Sequence, residues 1–212
     1  MPTLVDLSHP VTTGMPWYPG DPQVSVAPAL TVARDGVNVL ALHCGSHSGT
    51  HVDAPFHVRD DLPDLDTVPL DRFTGPAVLV DVRGLPARSP IGAGALDGVR
   101  ERLAPGVVVL LVTGWSRHWG DPAYQGHPWP TVELAAQLVA AGVRTVGIDA
   151  LSVDLTPDDP ATAALTTHLE LAVPGCVIAE NLTVIRALRI AAGDGSPVRA
   201  VAWVDEQTRM SG

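Results

Sequence analysis

Apolar positions along the chain fall into short runs separated by glycine and proline, and most runs carry the length and residue types of strands. Leu4-Val5-Asp6-Leu7, Val37 to Cys44, Ala77 to Val82, Val107 to Val112, Val143 to Ile148, Val177 to Ala179 and Val198 to Val204 are predicted strands by their β-branched content. Helical spacing is confined to Ala95 to Leu103, Val132 to Ala141, Pro160 to about Leu171, and Leu182 to Leu188. Pro130-Thr131 opens the second of these and Gly142 closes it. The third has Asp159 to cap it, Pro160 at its first position and Pro174-Gly175 to end it. Strands outnumber helices and do not alternate strictly with them. The pattern therefore predicts an α/β or α+β fold with a mixed, partly barrel-like sheet, not a doubly wound one. With no repeat or linker-like stretch, one domain over residues 1–212 is expected.

Composition narrows the chemistry. The chain has 212 residues, 46% of them apolar, enough for one core. Its 13 basic residues are all arginine, because no lysine occurs anywhere. That absence excludes Schiff-base chemistry, a pyridoxal-phosphate anchor, and P-loop or kinase lysines. A net charge of -10 without a basic cluster argues against nucleic acid or an anionic membrane as partner. The apolar runs are too short to cross a bilayer, and the N-terminus has no secretory pattern. A cytoplasmic protein is expected, with Cys44 and Cys176 as reduced thiols.

Histidine placement carries the functional information. Four of the eight histidines, His43, His47, His51 and His57, fall within residues 43–57, where even spreading would put about half a histidine. Gly49 and Pro55 disfavour a helix through this segment. In an extended backbone His51 and Asp53 project to one side while Val52 and Ala54 turn to the other. Gly49 lets the chain bend so that His47 returns toward them. Two imidazoles and a carboxylate converging in this way form an N/O ligand set suited to zinc, manganese or iron(II). His168 and Glu180 are the best candidates for completing a second metal position. Spacing leaves two readings for each, a polar residue satisfied at an element end or a ligand. No HExxH motif and no Gly-x-Ser-x-Gly elbow is present.

The segment His47-Ser48-Gly49-Thr50-His51-Val52-Asp53-Ala54-Pro55-Phe56-His57 resembles the HxGTHxDxPxH motif of the cyclase family of metal-dependent hydrolases, as carried by its bacterial kynurenine formamidases. Seven of the eleven positions match. The resemblance continues through Asp6-Leu7-Ser8, Pro19-Gly20-Asp21, Thr113-Gly114-Trp115, Gly147-Ile148-Asp149, and His168 with Glu180-Asn181-Leu182.

What it implies is a swivelling β/β/α domain, in dimers or tetramers, with two divalent ions, zinc or alternatively manganese. By the resemblance His47, His51 and Asp53 hold one ion, Asp53 and Glu180 bridge, and His168 completes the second. His57 is then left for acid/base work. The implied reaction is hydrolysis of N-formyl-L-kynurenine, a small aryl amide, to L-kynurenine and formate. Kynurenine formamidases place a tryptophan before the Pro-Gly-Asp turn to pack on the substrate ring. Here Tyr18 holds that slot and Trp17 precedes it, so both are candidate substrate contacts. This departure keeps another amide, a lactam, a cyclic imide or an ester in view as substrate. A non-catalytic metal-binding module is the reading of a different class.

Overall fold

The computed structural model describes residues 3–182, 195–197 and 201–204. In chain order the first elements are β1 (Thr3–Asp6), β2 (Ser25–Leu30), α1 (Val32–Asp35), β3 (Val39–His43), β4 (His51–Asp53) and β5 (Ala77–Asp81). They are followed by β6 (Pro90–Ile91), β7 (Val108–Val112), β8 (Trp129–Pro130), α2 (Val132–Ala140) and β9 (Thr145–Ile148). The last are α3 (Thr166–Ala172), β10 (Val177–Glu180), β11 (Gly195–Pro197) and β12 (Val201–Val204).

Six strands form the central sheet in the order β11-β4-β10-β9-β7-β5. Strands β5, β7, β9 and β10 run parallel, while β4 and β11 are antiparallel additions at one end. Parallel neighbours need crossovers, and α2 and α3 supply those leading to β9 and β10. The fold is thus the mixed, strand-rich α+β arrangement expected. Among the described residues the edges β11 and β5 do not pair with each other, so any barrel-like curl stops short of closure.

Alternation along the strands divides the core in two. Val78, Val80, Val109, Leu111, Val146, Ile148 and Ile178 face one side, where Leu134, Leu138 and Leu171 of α2 and α3 cover them. Val52, Val177 and Ala179 face the other, against Leu65, Val68 and Leu182. Gly147 makes this second layer possible, because a Cβ there would come within 2.1 Å of a Leu182 methyl.

Three sequence expectations change. Ala95 to Leu103 is not a helix: 3-10 turns at Ala93–Leu96 and Arg100–Arg102 replace it, because Val99, behind Gly98, leaves the helical region at φ -128°. Pro160 to Leu171 is split into a turn at Pro160–Thr162, which Asp159 caps through the Ala161 amide, and α3, which starts only at Thr166. Strand β2 went unanticipated because Pro28 and three small residues hide its period. It pairs with β3 in a hairpin whose Leu40 and Leu42 are 58% and 65% exposed. The expected helix at Leu182 to Leu188 lies outside the described residues beyond Leu182.

Candidate metal centre

The site lies where the strand direction reverses. β10 ends at Glu180 beside the start of antiparallel β4, and the register places Glu180 opposite His51 and Ile178 opposite Asp53. Residues directly opposite share a face, so His51, Asp53 and Glu180 emerge together on the helix-covered side. Val52, between them, points into the second apolar layer. Crevices at the carboxyl ends of parallel strands are where such folds place ligands.

Gly49, at φ +67°, turns the chain ahead of β4, and a Cβ there would approach the Met15 methyl to 2.8 Å. Its carbonyl accepts from His51 Nδ1 at 2.8 Å, which turns Nε2 inward. Nε2 then stands 3.2 Å from Asp53 Oδ1 and 3.7 Å from Glu180 Oε2. His47 Nδ1 meets Asp53 Oδ1 at 2.6 Å. From α3, His168 brings Nε2 to 3.4 Å from Glu180 Oε1 and 3.7 Å from Asp53 Oδ2. Its Nδ1 donates to Asp154 Oδ2 at 2.7 Å. The structure therefore brings His47, His51, Asp53, His168 and Glu180 together as two overlapping triads sharing Asp53, the ligand atoms of each triad lying within 4.8 Å of one another.

Electrostatics explains why such a cluster tolerates burial. Burial would raise the Asp53 carboxyl, but the neighbouring His51 and His47, the hydrogen bond from His47 and the nearby His168 ring hold it well below the ordinary carboxylate range. Burial would likewise lower His168, yet its hydrogen bond to Asp154 and the nearby carboxylates of Asp53 and Glu180 raise it well above the usual imidazole value. Glu180 Oε1 also accepts from the Val153 amide at 2.7 Å.

Two atoms remain unmatched. His51 Nε2 and Asp53 Oδ2 are buried without a hydrogen-bond partner, a costly state for a lone pair and a carboxylate oxygen. A divalent cation is the ligand that both atoms fit, and the N/O donor set agrees with it.

His57, at the end of a 3-10 turn over Pro55–His57, places its ring centroid 4.0 Å from that of His47 and 5.6 Å from that of His168. Burial lowers its pKa, and His47 and His168 add to this while Asp53 and Glu180 oppose it. A cleft of about 200 Å³ opens above these groups, with Trp17, Tyr18 and His57 in its walls. Trp17 also borders a second cavity of about 310 Å³, walled by Asp121, Tyr124 and Gln125.

The aromatic loop from Trp115 to Trp129 contributes no residue to the cleft among the described residues. Trp115 and Tyr124 are core residues instead.

Sequence reasoning missed Asp154. Besides His168 Nδ1 it accepts the Thr167 and His168 amides at 2.9 and 3.0 Å, so one carboxylate secures the start of α3 and orients its histidine. Fourteen residues separate the pair, and no spacing rule links them. Asn181 and Tyr124 were also missed as a pair, although Asn181 belongs to the quoted Glu180-Asn181-Leu182 pattern.

Comparison with known proteins agrees with this architecture. Residues 5–155 match the family model described as "Putative cyclase". The chain is 35% identical over 214 residues to a kynurenine formamidase of Salinibacter ruber (strain DSM 13855 / M31), covering 93% of this chain and 96% of that protein. A kynurenine formamidase of Paracidovorax citrulli (strain AAC00-1) is 34% identical over 215 residues, covering 93% and 95%. Among solved structures, isatin hydrolase A from Ralstonia solanacearum superposes with a TM-score of 0.84 at 23% identity, covering 96% of this chain and 92% of that one. A predicted metal-dependent hydrolase from Bacillus stearothermophilus gives a TM-score of 0.74 at 24% identity, covering 95% and 98%. The match over most of the chain, together with relatives above 30% identity along nearly its whole length, shows that the chain belongs to the Cyclase family.

Proposed function

We propose that the chain is a metal-dependent amidohydrolase that cleaves N-formyl-L-kynurenine to L-kynurenine and formate. The observation that carries the reading is the pair of triads sharing Asp53, with His51 Nε2 and Asp53 Oδ2 buried and unmatched. In it His47, His51, Asp53, His168 and Glu180 would hold two divalent ions, Asp53 being common to both triads. Zinc is the first choice, with manganese as competitor. Bound there, the ions supply Lewis acidity and lower the pKa of a water toward neutrality.

The chain's own residues do the rest. His57, disfavoured as a cation by burial, starts neutral at pH 7. It accepts the proton released as water oxygen bonds to the formyl carbon, and delivers it to the aryl nitrogen as the C–N bond breaks. Tyr18 and Trp17 offer flat faces to the aryl ring from the cleft wall. A homodimer or homotetramer is proposed with it, which the exposed apolar Leu40 and Leu42 of the β2–β3 hairpin support. A cytoplasmic setting suits the two free cysteines.

The test is formate release from N-formyl-L-kynurenine by protein reconstituted with zinc or manganese. Turnover of N-formyl-L-kynurenine supports the reading. Hydrolysis of a lactam, imide or ester without formate would move the substrate to the alternative that Tyr18 keeps open. Stoichiometric metal without turnover on any of them would leave a binding module.

A further inference from the structure

We propose that Asn181 and Tyr124 act as a positioning brace that fixes the ring of His51 through the Gly49 carbonyl. The geometry stands alone, and only its consequence for metal affinity rests on the metal reading above. Asn181 follows Glu180 directly and adopts φ +51°, a left-handed conformation that asparagine tolerates better than most residues. The turn sends its side chain back toward the motif loop. Its Nδ2 donates to the Gly49 carbonyl at 3.1 Å, its Oδ1 accepts from the Tyr124 hydroxyl, and its backbone carbonyl accepts from the Thr50 hydroxyl.

The amide has one workable orientation. A carbonyl can only accept, so Nδ2 must face Gly49, and Oδ1 is left for a hydroxyl donor. Burial raises the Tyr124 hydroxyl well above its ordinary pKa, so it remains a donor across the neutral range. The Gly49 carbonyl consequently receives two donors, Asn181 Nδ2 and His51 Nδ1. With its Nδ1–H donated to this carbonyl, His51 can only turn Nε2 toward Asp53 and Glu180. Without the brace this carbonyl would belong to a glycine at φ +67° in an irregular segment, with no side chain of its own to fix it. Tyr124, 57 positions from Asn181 in the chain, therefore helps set which nitrogen of His51 faces the carboxylates.

The test compares wild type with Asn181→Gly, which keeps the left-handed turn but removes the amide, and Asn181→Asp, which keeps the shape but cannot donate. Long-range ¹⁵N–¹H NMR of metal-free protein should show the His51 Nδ1–H hydrogen-bonded and protected from exchange in wild type, and exposed to exchange in both variants. Zinc affinity, measured by competition with a chromogenic chelator, should fall about 10–100-fold in Asn181→Gly. Tyr124→Phe, the gentler change, should shift both readouts in the same direction by less and serves if the Asn181 variants do not fold. An unchanged His51 spectrum with zinc affinity within about twofold would overturn the brace, since a purely structural role moves the unfolding temperature and not the Nδ1–H signal. If wild type binds no divalent metal, the functional reading fails by itself, while the Nδ1–H measurement still decides the brace.

Discussion

His168 and His127 are both buried, at 3% and 0% exposure, yet one belongs to the candidate site and the other to the packing of the Trp115–Trp129 loop. The second nitrogen separates them. His127 donates from Nδ1 to the Pro128 carbonyl at 2.9 Å and meets the Thr156 hydroxyl with Nε2 at 2.9 Å, so its hydrogen-bonding capacity is spent on neutral groups. His168 spends Nδ1 on Asp154 and points Nε2 at two carboxylates. Burial pulls His127 below the ordinary imidazole value, whereas the acids around His168 overcome the same effect and raise it. A buried histidine is thus not evidence of a site, but one whose free nitrogen converges with carboxylates and other imidazoles is.

The comparison can be broken most severely at Asp53. Asp53→Ala removes the carboxylate shared by both triads, so metal content should drop to background and hydrolysis should become undetectable, a loss of roughly 10⁴-fold or more if metal supplies the activated water. Elemental analysis alongside formate release checks both. His57→Ala should keep its metal while kcat falls about 10²–10⁴-fold, and loss of metal with activity would place His57 among the ligands instead. Asp154→Asn tests what orients His168: metal affinity should weaken by about 10–100-fold, read by chelator competition, because an amide NH₂ is a poor partner for Nδ1–H.

At the small end, His127→Gln should leave metal affinity unchanged and cost about 1 kcal/mol of stability. Its pH dependence sharpens the contrast. Because the folded-state pKa lies below the ordinary 6.5, the unfolded chain binds the proton more readily. The stability that depends on neutral His127 is present above pH 6.5 and lost as pH falls through the folded-state value. Between pH 7 and pH 5 the wild-type unfolding temperature should fall relative to that of His127→Gln.

The two regions were unequally legible in the sequence. The motif from His47 to His57 is local, so its period-two spacing already placed His51 and Asp53 on one face, as β4 shows. Glu180 was nameable because it interrupts the apolar run from Cys176 to Ala179, and His168 because an imidazole in a predicted helix, after threonines and alanines, would need a polar partner if buried. Asp154 was not, because its partners depend on how α3 packs, and a lone aspartate after Ser152-Val153 looks like any loop acid. The predicted strands over β5, β7, β9 and β10 agree with the structure because parallel strands covered on both faces, as β9 and β10 are throughout, read as continuous apolar runs. Helical spacing misled at Ala95 to Leu103, where apolar periodicity is met equally well by two 3-10 turns around Gly98.

The pairing of Glu180 with His51 and of Ile178 with Asp53 has a consequence for how the chain assembles. Strand pairing is vulnerable to slippage by one residue, which turns every side chain to the opposite face. A slip of β4 would drive His51 and Asp53 into the layer of Val177, Ala179 and Leu182 and bring Val52 into the polar crevice. An ionised carboxylate among aliphatic side chains is penalised by several kcal/mol or more, so misaligned pairings are selected against while the sheet is forming. The same polar triplet that can hold a cation thereby serves as a proofreader of strand alignment before any ion arrives.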